Sequence, residues 1–181
     1  PPGIGKTSIA SAIAGSTRYA FRTLNAATDG KKELEQVVEE AKFSGTLILL
    51  LDEIHRLNTT KQDFLLPHLE SGRIILIGAT TENPYIAINP AIRSRVQIFE
   101  LKPLSPEQVC QGLTRALADQ ERGLGKYPVQ VQDGVLEHFA QVSGGDIRTS
   151  LNALELAVLS TQPDQDGQII IDMAVASDCL R

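Results

Sequence analysis

Over the first hundred positions, apolar and polar residues alternate in blocks rather than one by one. Residues 46–51 (Thr-Leu-Ile-Leu-Leu-Leu) and 74–79 (Ile-Ile-Leu-Ile-Gly-Ala) are apolar without alternation, the pattern of strands covered on both faces. Residues 19–24 give a less apolar strand pattern, and residues 96–101 give another after a Pro-initiated helical turn. Between them, residues 31–43 are rich in Glu, Lys and Val and predict a helix. Residues 59–69 predict a second helix, with Phe64, Leu65 and Leu69 on one side. Strands that alternate with helices predict an α/β fold, a parallel sheet with helices on both faces.

The period changes after Leu101-Lys102-Pro103-Leu104. Ser105 has the chemistry of an N-cap and Pro106 suits the first helical position, so a helix opens there and runs to about Asp119. Residues 132–142 predict a second helix. A third opens at Gly144-Gly145-Asp146, with Ile147, Leu151, Leu154 and Val158 at helical spacing. Residues 162–167 form a polar turn, and residues 172–180 predict a last helix. This half is essentially all helical, so the chain divides near residue 102, into an α/β core over 1–102 and a helical domain over 103–181. No repeat or low-complexity segment interrupts either part.

Composition narrows the class. Of the 181 residues, 42% are apolar and 22% charged, with no long polar tract; that is enough for a core and unlike a disordered chain. No run approaches the roughly 18 apolar residues that a membrane helix needs, and a start at Pro-Pro-Gly predicts that the natural N-terminus lies upstream. Cys110 and Cys179 stand far apart with no histidine at ligand spacing. That spacing predicts neither a disulfide framework nor a zinc site, and fits a reduced, cytoplasmic setting. The net charge of −5 provides no general field for nucleic acid, so any DNA contact falls to a local surface or an assembled ring.

Candidate chemistry begins at Gly3-Ile4-Gly5-Lys6-Thr7. The phosphate-binding loop is Gly, four residues, then Gly-Lys-Thr; here Gly5-Lys6-Thr7 fits, and the first glycine falls one position before Pro1. Such glycines let backbone N–H groups close around phosphate at a helix N-terminus. Lys6 then reaches the β- and γ-phosphates of ATP, and the Thr7 hydroxyl ligates Mg²⁺. Next, the apolar run 47–51 leads straight into Asp52-Glu53. Two carboxylates at the end of a buried strand are costly unless they serve a cation or a water, so Asp52 is assigned to Mg²⁺ and Glu53 to the attacking water. Thr80-Thr81-Glu82-Asn83 follows the next buried strand, at the edge where parallel sheets bind ligands; a hydroxyl there orients the lytic water or belongs to an ordinary polar loop. Arg93 and Arg95 in Asn-Pro-Ala-Ile-Arg-Ser-Arg are two candidates for an arginine that meets the γ-phosphate of a neighbouring subunit. Arg148 lies in the first turn of the third helix of the second half, away from its apolar face, free for solvent or a phosphate. His55, directly after the two carboxylates, reads as structural or communicative rather than metal-binding. His68 and His138 read as structural.

Together these motifs resemble the AAA+ ATPases along the whole chain: residues 3–7 as Walker A, 47–53 as Walker B, Thr81 as sensor 1 with Thr80 its neighbour, Ser94-Arg95 as the arginine-finger box, and Gly144-Gly145-Asp146-Ile147-Arg148 as sensor 2. The resemblance implies an ATP- and Mg²⁺-dependent hydrolase with Glu53, Arg95 and Thr81 as catalytic residues, Gly3, Ile4, Gly5, Lys6, Thr7, Asp52 and Arg148 on the nucleotide, and Thr7 and Asp52 on the metal. It also implies a P-loop sheet whose first strand, like the first P-loop glycine, is missing from this chain, followed by an all-helical lid. Three stretches, Leu-Asp-Glu-Ile-His-Arg-Leu-Asn (51–58), Gln-Asp-Phe-Leu-Leu-Pro-His-Leu-Glu (62–70) and Ile-Gly-Ala-Thr-Thr-Glu-Asn-Pro (77–84), look like the replication-associated recombination protein A family, bacterial counterparts of the Werner-helicase-interacting protein. That family implies a DNA-dependent ATPase at stalled or gapped forks, a tetramer assembled through a further helical region beyond Arg181, and DNA ends or single-stranded/double-stranded junctions as ligands.

Three rival assignments fit the sequence less well. The Holliday-junction branch-migration motor shares Asp-Glu-Ile-His-Arg-Leu but inserts a hairpin before the sensor-1 strand, whereas Leu69-Glu70-Ser71-Gly72-Arg73 here turns directly into it. The bacterial clamp-loader subunit, the alternative assignment, carries a four-cysteine zinc insert between the Walker motifs, and no cysteine lies between Thr7 and Asp52. A non-hydrolysing structural subunit loses the P-loop lysine, the catalytic glutamate or the finger arginine; Lys6, Glu53, Arg95 and Arg148 are all present.

Overall fold

A computed structural model describes residues 2–180. By its contacts the chain forms two compact units, one of Gly5–Glu100 and one that joins residues 2–4 to the chain from Leu101 onward.

The first unit is an α/β layer. A three-stranded parallel sheet has the order β1 (Ala20–Asn25), β2 (Leu47–Asp52), β3 (Ile74–Gly78). The register aligns Leu24 with Leu51, Asn25 with Asp52, and Leu51 with Gly78. In the central strand β2, Leu47, Ile48, Leu49, Leu50 and Leu51 are each at most 3% exposed, and burying each such side chain contributes roughly 1.5–3 kcal/mol. Alternate side chains take opposite faces. Leu47, Leu49 and Leu51 join the core with Leu34, Val37, Val38 and Ala41 of α2 (Lys31–Ser44) and Leu65 of α3 (Thr59–Glu70), while α1 (Lys6–Gly15) also lies against β2 and buries Ala10 and Ala14.

Sequence and structure differ on two strands here. β3 is not covered on both faces as expected: Ile74 is buried but Ile75 is 40% exposed. It is an edge strand, and among the described residues nothing pairs with its outer side. Residues 96–101, expected as a strand, form no ladder; Val96 packs partly against the core and Phe99 is 81% exposed. A strand is defined by a hydrogen-bonded neighbour, and no described strand lies beside this segment.

α3 turns through Ser71 and Gly72 straight into β3. Two short Pro-started helices follow, α4 (Pro84–Ala87) and α5 (Pro90–Arg93), whose caps Asn83 and Asn89 accept from Tyr85 and Ala91 N–H. The buried Gln62 amide stitches this segment down: its Nε2 donates to the Leu57 carbonyl at 2.7 Å and its Oε1 accepts from the Asn89 N–H at 2.8 Å.

The second unit packs α6 (Pro106–Ala118), α7 (Val135–Val142), α8 (Ile147–Ser160) and α9 (Met173–Asp178) around Phe139, Leu113, Leu154 and Ile171, all fully buried. Ser105 caps α6 in a reciprocal box with Gln108, and Asp146 and Asp172 cap α8 and α9 through the Thr149 and Val175 N–H groups. The buried Ser150 hydroxyl donates to the Phe139 carbonyl, joining α7 to α8. To the expected helices the structure adds a two-stranded parallel pair, β4 (Val129–Val131) with β5 (Ile169–Ile171). α7 starts three residues later than the sequence indicates, because the chain after β4 turns through Asp133 and Gly134 first.

Candidate active site

In the first unit, the ends of β2 and β3 and the start of α1 carry the polar groups. Gly5 caps α1 with φ 84°, a left-handed turn that only glycine adopts freely, and its carbonyl accepts from the Ile9 N–H at 2.8 Å. Lys6 and Thr7 therefore occupy the first turn, where backbone N–H groups lack helical partners and favour an anion. The Thr7 hydroxyl donates to Asp52 Oδ2 at 3.0 Å across 45 positions of sequence. Asp52 closes β2, half-buried, and its Oδ1 accepts from the Glu53 N–H at 3.0 Å. A hydroxyl and a carboxylate held side by side are a hard-oxygen donor set, the kind that takes Mg²⁺ together with waters and phosphate oxygens.

Glu53 has φ 50° and is, among the described residues, the only non-glycine in the left-handed region. That conformation costs about 1–2 kcal/mol and is held by its neighbours: Ile54 donates to the Ala79 carbonyl at 3.0 Å, and Ala79 donates to the Leu51 carbonyl at 3.0 Å. Gly78 gives room for this, since a Cβ there would stand 2.7 Å from Ile54 Cδ1. The turn leaves Glu53 exposed beside Asp52.

The loop after β3 carries Thr80 and Thr81. Thr81 is exposed, and Thr80 is half-buried with its Oγ1 2.8 Å from His55 Nδ1. The His55 side chain is only 6% exposed, and its Nε2 stands 3.7 Å from Glu82 Oε1. This His55–Thr80 link was not anticipated. Its one sequence signal is that strands paired Leu51 to Gly78 bring the loops that follow them together, each with a polar residue a few positions on.

Arg93 and Arg95 lie at the end of α5 and just past it, each bonded within its own chain. Arg93 donates to the Tyr85 carbonyl and sits over the Tyr85 ring, 5.6 Å from its centroid. Arg95 pairs with Glu70 at the end of α3 and donates to the Ala91 carbonyl at 2.7 Å. Glu70 is a second partner that the sequence did not reveal.

The remaining candidates belong to the second unit. The Gly3 carbonyl accepts from the Ile147 N–H, the first of α8, at 3.0 Å, and Ile4 is buried. Arg148, in the first turn of α8, is exposed. Within its own unit, the first group thus unites Gly5, Lys6, Thr7, Asp52, Glu53 and Thr81 around one sheet end, while Gly3, Ile4 and Arg148 gather at the start of α8.

Comparison with known proteins gives the family. The model of the AAA family, ATPases associated with various cellular activities, matches residues 1–104, and the AAA C-terminal domain model matches residues 125–181. The chain is 65% identical to replication-associated recombination protein A of Bacillus subtilis over all of its length and 43% of that protein. It is 38% identical to the same protein of Escherichia coli K12, over 94% of this chain and 39% of that one. With the ATPase WRNIP1 of Dictyostelium discoideum it shares 36% over 91% of this chain and 19% of that one. The chain thus spans about two-fifths or less of these relatives. The RuvB Holliday junction branch migration motor of Thermotoga maritima superposes with a TM-score of 0.74 at 22% identity, over 99% of this chain and 58% of that one, a likeness of fold. Among the described residues no helix is long and apolar enough to cross a membrane.

Proposed function

The chain belongs to the AAA family of ATPases, and from that membership we propose that it is the Mg²⁺-dependent ATP-hydrolysing part of a longer, DNA-acting protein of replication-fork maintenance, recombination and repair. The observation that carries the proposal is the 3.0 Å bond from Thr7 to Asp52: it joins the two residues that must share a metal, one from the phosphate loop and one from a buried strand.

In this reading, the first turn of α1 and Lys6 bind the ATP phosphates. Thr7 and Asp52 would hold Mg²⁺, which would offset the negative charge of the phosphates. Glu53, exposed beside them, takes a proton from the attacking water, and Thr81 orients that water. Arg95 serves the nucleotide of an adjacent subunit and Arg148 the nucleotide of its own, in a homo-oligomer taken to be a tetramer. The role in DNA rests on relatives named for replication and recombination. With a net charge of −5, DNA ends or junctions are gripped by a local surface or an assembled ring, in the cytoplasm at the nucleoid.

The test is calorimetric titration of the full-length protein with ATP at rising Mg²⁺. Wild type should bind more tightly as Mg²⁺ is added, and Asp52→Asn and Thr7→Ala should lose most of that gain while still binding metal-free ATP. Equal Mg²⁺ dependence in all three proteins would remove the metal assignment.

A further inference from the structure

We infer that His55 is a positioning residue: through Thr80 it holds Thr81 in place relative to Glu53, so that its ring governs the hydrolytic step and not ATP binding. The inference rests on the ATPase reading above and assigns a role to a side chain outside the nucleotide-binding set.

Burial comes first. An imidazole at 6% exposure loses water from two ring nitrogens, which is unfavourable unless they find partners. Nδ1 has one in the Thr80 hydroxyl at 2.8 Å. That hydroxyl is also engaged: its oxygen accepts from the Glu82 N–H at 3.0 Å. The hydroxyl keeps its proton and a second lone pair, so it meets Nδ1 in either tautomer of the ring, while Nε2 stands 3.7 Å from Glu82 Oε1. Ring, hydroxyl and amide so form a chain that closes a tight turn around Thr81, whose own side chain stays exposed.

The second observation is the position of this link beside another. Ile54, one residue before His55, donates its N–H to the carbonyl of Ala79, one residue before Thr80, at 3.0 Å. One backbone bond and one side-chain bond thus clamp the same two loops at adjacent positions. Glu53 enters the first loop in a left-handed turn, and Thr81 leaves the second. Ala79 also donates to the Leu51 carbonyl at 3.0 Å, but both backbone bonds end at Ala79; the His55 ring carries the link one position further, to Thr80. A displacement of about 1 Å at a reacting centre can cost on the order of 10²-fold in rate, so a clamp that acts on Glu53 and Thr81 together acts on turnover.

Steady-state ATPase kinetics of the full-length protein test this with His55→Ala, Thr80→Val, Thr80→Ser and the His55→Ala/Thr80→Val double variant. Thr80→Val keeps the side-chain shape and deletes only the hydroxyl, so it reports even if His55→Ala does not fold. Each deletion should lower kcat about tenfold, the scale of one buried hydrogen bond, with KM for ATP nearly unchanged. Thr80→Ser, which keeps the hydroxyl, should retain most of the rate. The double variant should fall no further than Thr80→Val, which also removes the acceptor of the Glu82 N–H, since the His55–Thr80 link is then already broken. An unchanged kcat in both single variants, additive losses in the double, or a KM that rises in step with the loss of kcat would each overturn the role. A wild type that binds ATP and does not hydrolyse it would instead bring down the ATPase reading, and this inference with it.

Discussion

Two sets of polar groups in the first unit are held in opposite ways. Asp52, Glu53 and His55 stand at the end of a buried strand, and their neighbours are set by sheet register: Asn25 beside Asp52, Ala79 against Ile54, Thr80 against His55. Arg93 and Arg95 end a four-residue helix at the surface, and the side chains of Arg95 and its partner Glu70 are 38% and 47% exposed. Exposed pairs of that kind contribute about 0–1 kcal/mol. The first set is thus pre-positioned by the fold, whereas the second is restrained only lightly and can exchange partners. That contrast suits the proposed division of the site between subunits, with fixed groups for the nucleotide a subunit holds and a releasable arginine for the one next door.

The largest effect expected from breaking this contrast is at Arg95. Arg95→Ala should lower turnover by about 10³-fold or more, the scale of an arginine finger, with little change in stability. Mixing Arg95→Ala subunits with Lys6→Ala subunits should restore part of the ATPase activity, because each supplies what the other lacks. No rescue in verified mixed oligomers would make Arg95 structural, and Arg93→Ala in the same experiment separates the two candidates.

A second pair of variants tests the buried side of the comparison through stability. Leu50→Ala in β2 should cost about 2–5 kcal/mol, since it empties a fully buried site. Ile75→Ala, on the open strand, should cost clearly less, because that side chain is already 40% exposed. Chemical denaturation measures both, and equal losses would mean that β3 is covered in the assembled protein.

Smaller still is the expected effect of Glu70→Gln, which removes the charge facing Arg95. It should change stability by no more than about 1 kcal/mol, and a larger loss would show that the pair is a structural anchor. The smallest effect is a pH dependence from His68 on α3, whose pKa lies below the ordinary 6.5 through burial and then the nearby charges of Arg73 and Lys42. The unfolded chain therefore binds this proton more tightly. Stability should rise with pH from the lowered value up to about 6.5 and be lost as pH falls through that window. His68→Gln should flatten this part of the profile in thermal melts; an unchanged slope would remove His68 as its source.

The parts of the molecule legible in the sequence are those governed by local periodicity and capping. The apolar run that became β2, the helices α2, α3 and α6, and the caps Ser105 and Asp146 follow from residue type and spacing within one element. The Thr7–Asp52 pair was legible for another reason, since each lies in a motif whose chemistry needs the other. Pairings between elements were not legible. Three-residue strands such as β4 and β5 carry too few positions for a period of two to show. Residues 96–101 have strand composition but no described neighbour, and β3 has the same composition as β2 but lies at an edge. Neither the His55–Thr80 nor the Arg95–Glu70 bond corresponds to any spacing along the chain. The first follows from where two loops emerge from paired strands, and the second from where α3 ends.

The proposed hydrolysis depends most directly on Glu53, the exposed carboxylate in a left-handed turn beside Asp52. Single-turnover and equilibrium binding measurements on full-length Glu53→Gln, with Mg²⁺ present, separate its two possible roles. The prediction is ATP affinity close to wild type with hydrolysis slowed by about 10²–10⁴-fold, the range of a lost general base. Hydrolysis near the wild-type rate, or ATP affinity lost in proportion to it, would contradict the assignment of Glu53 to the attacking water.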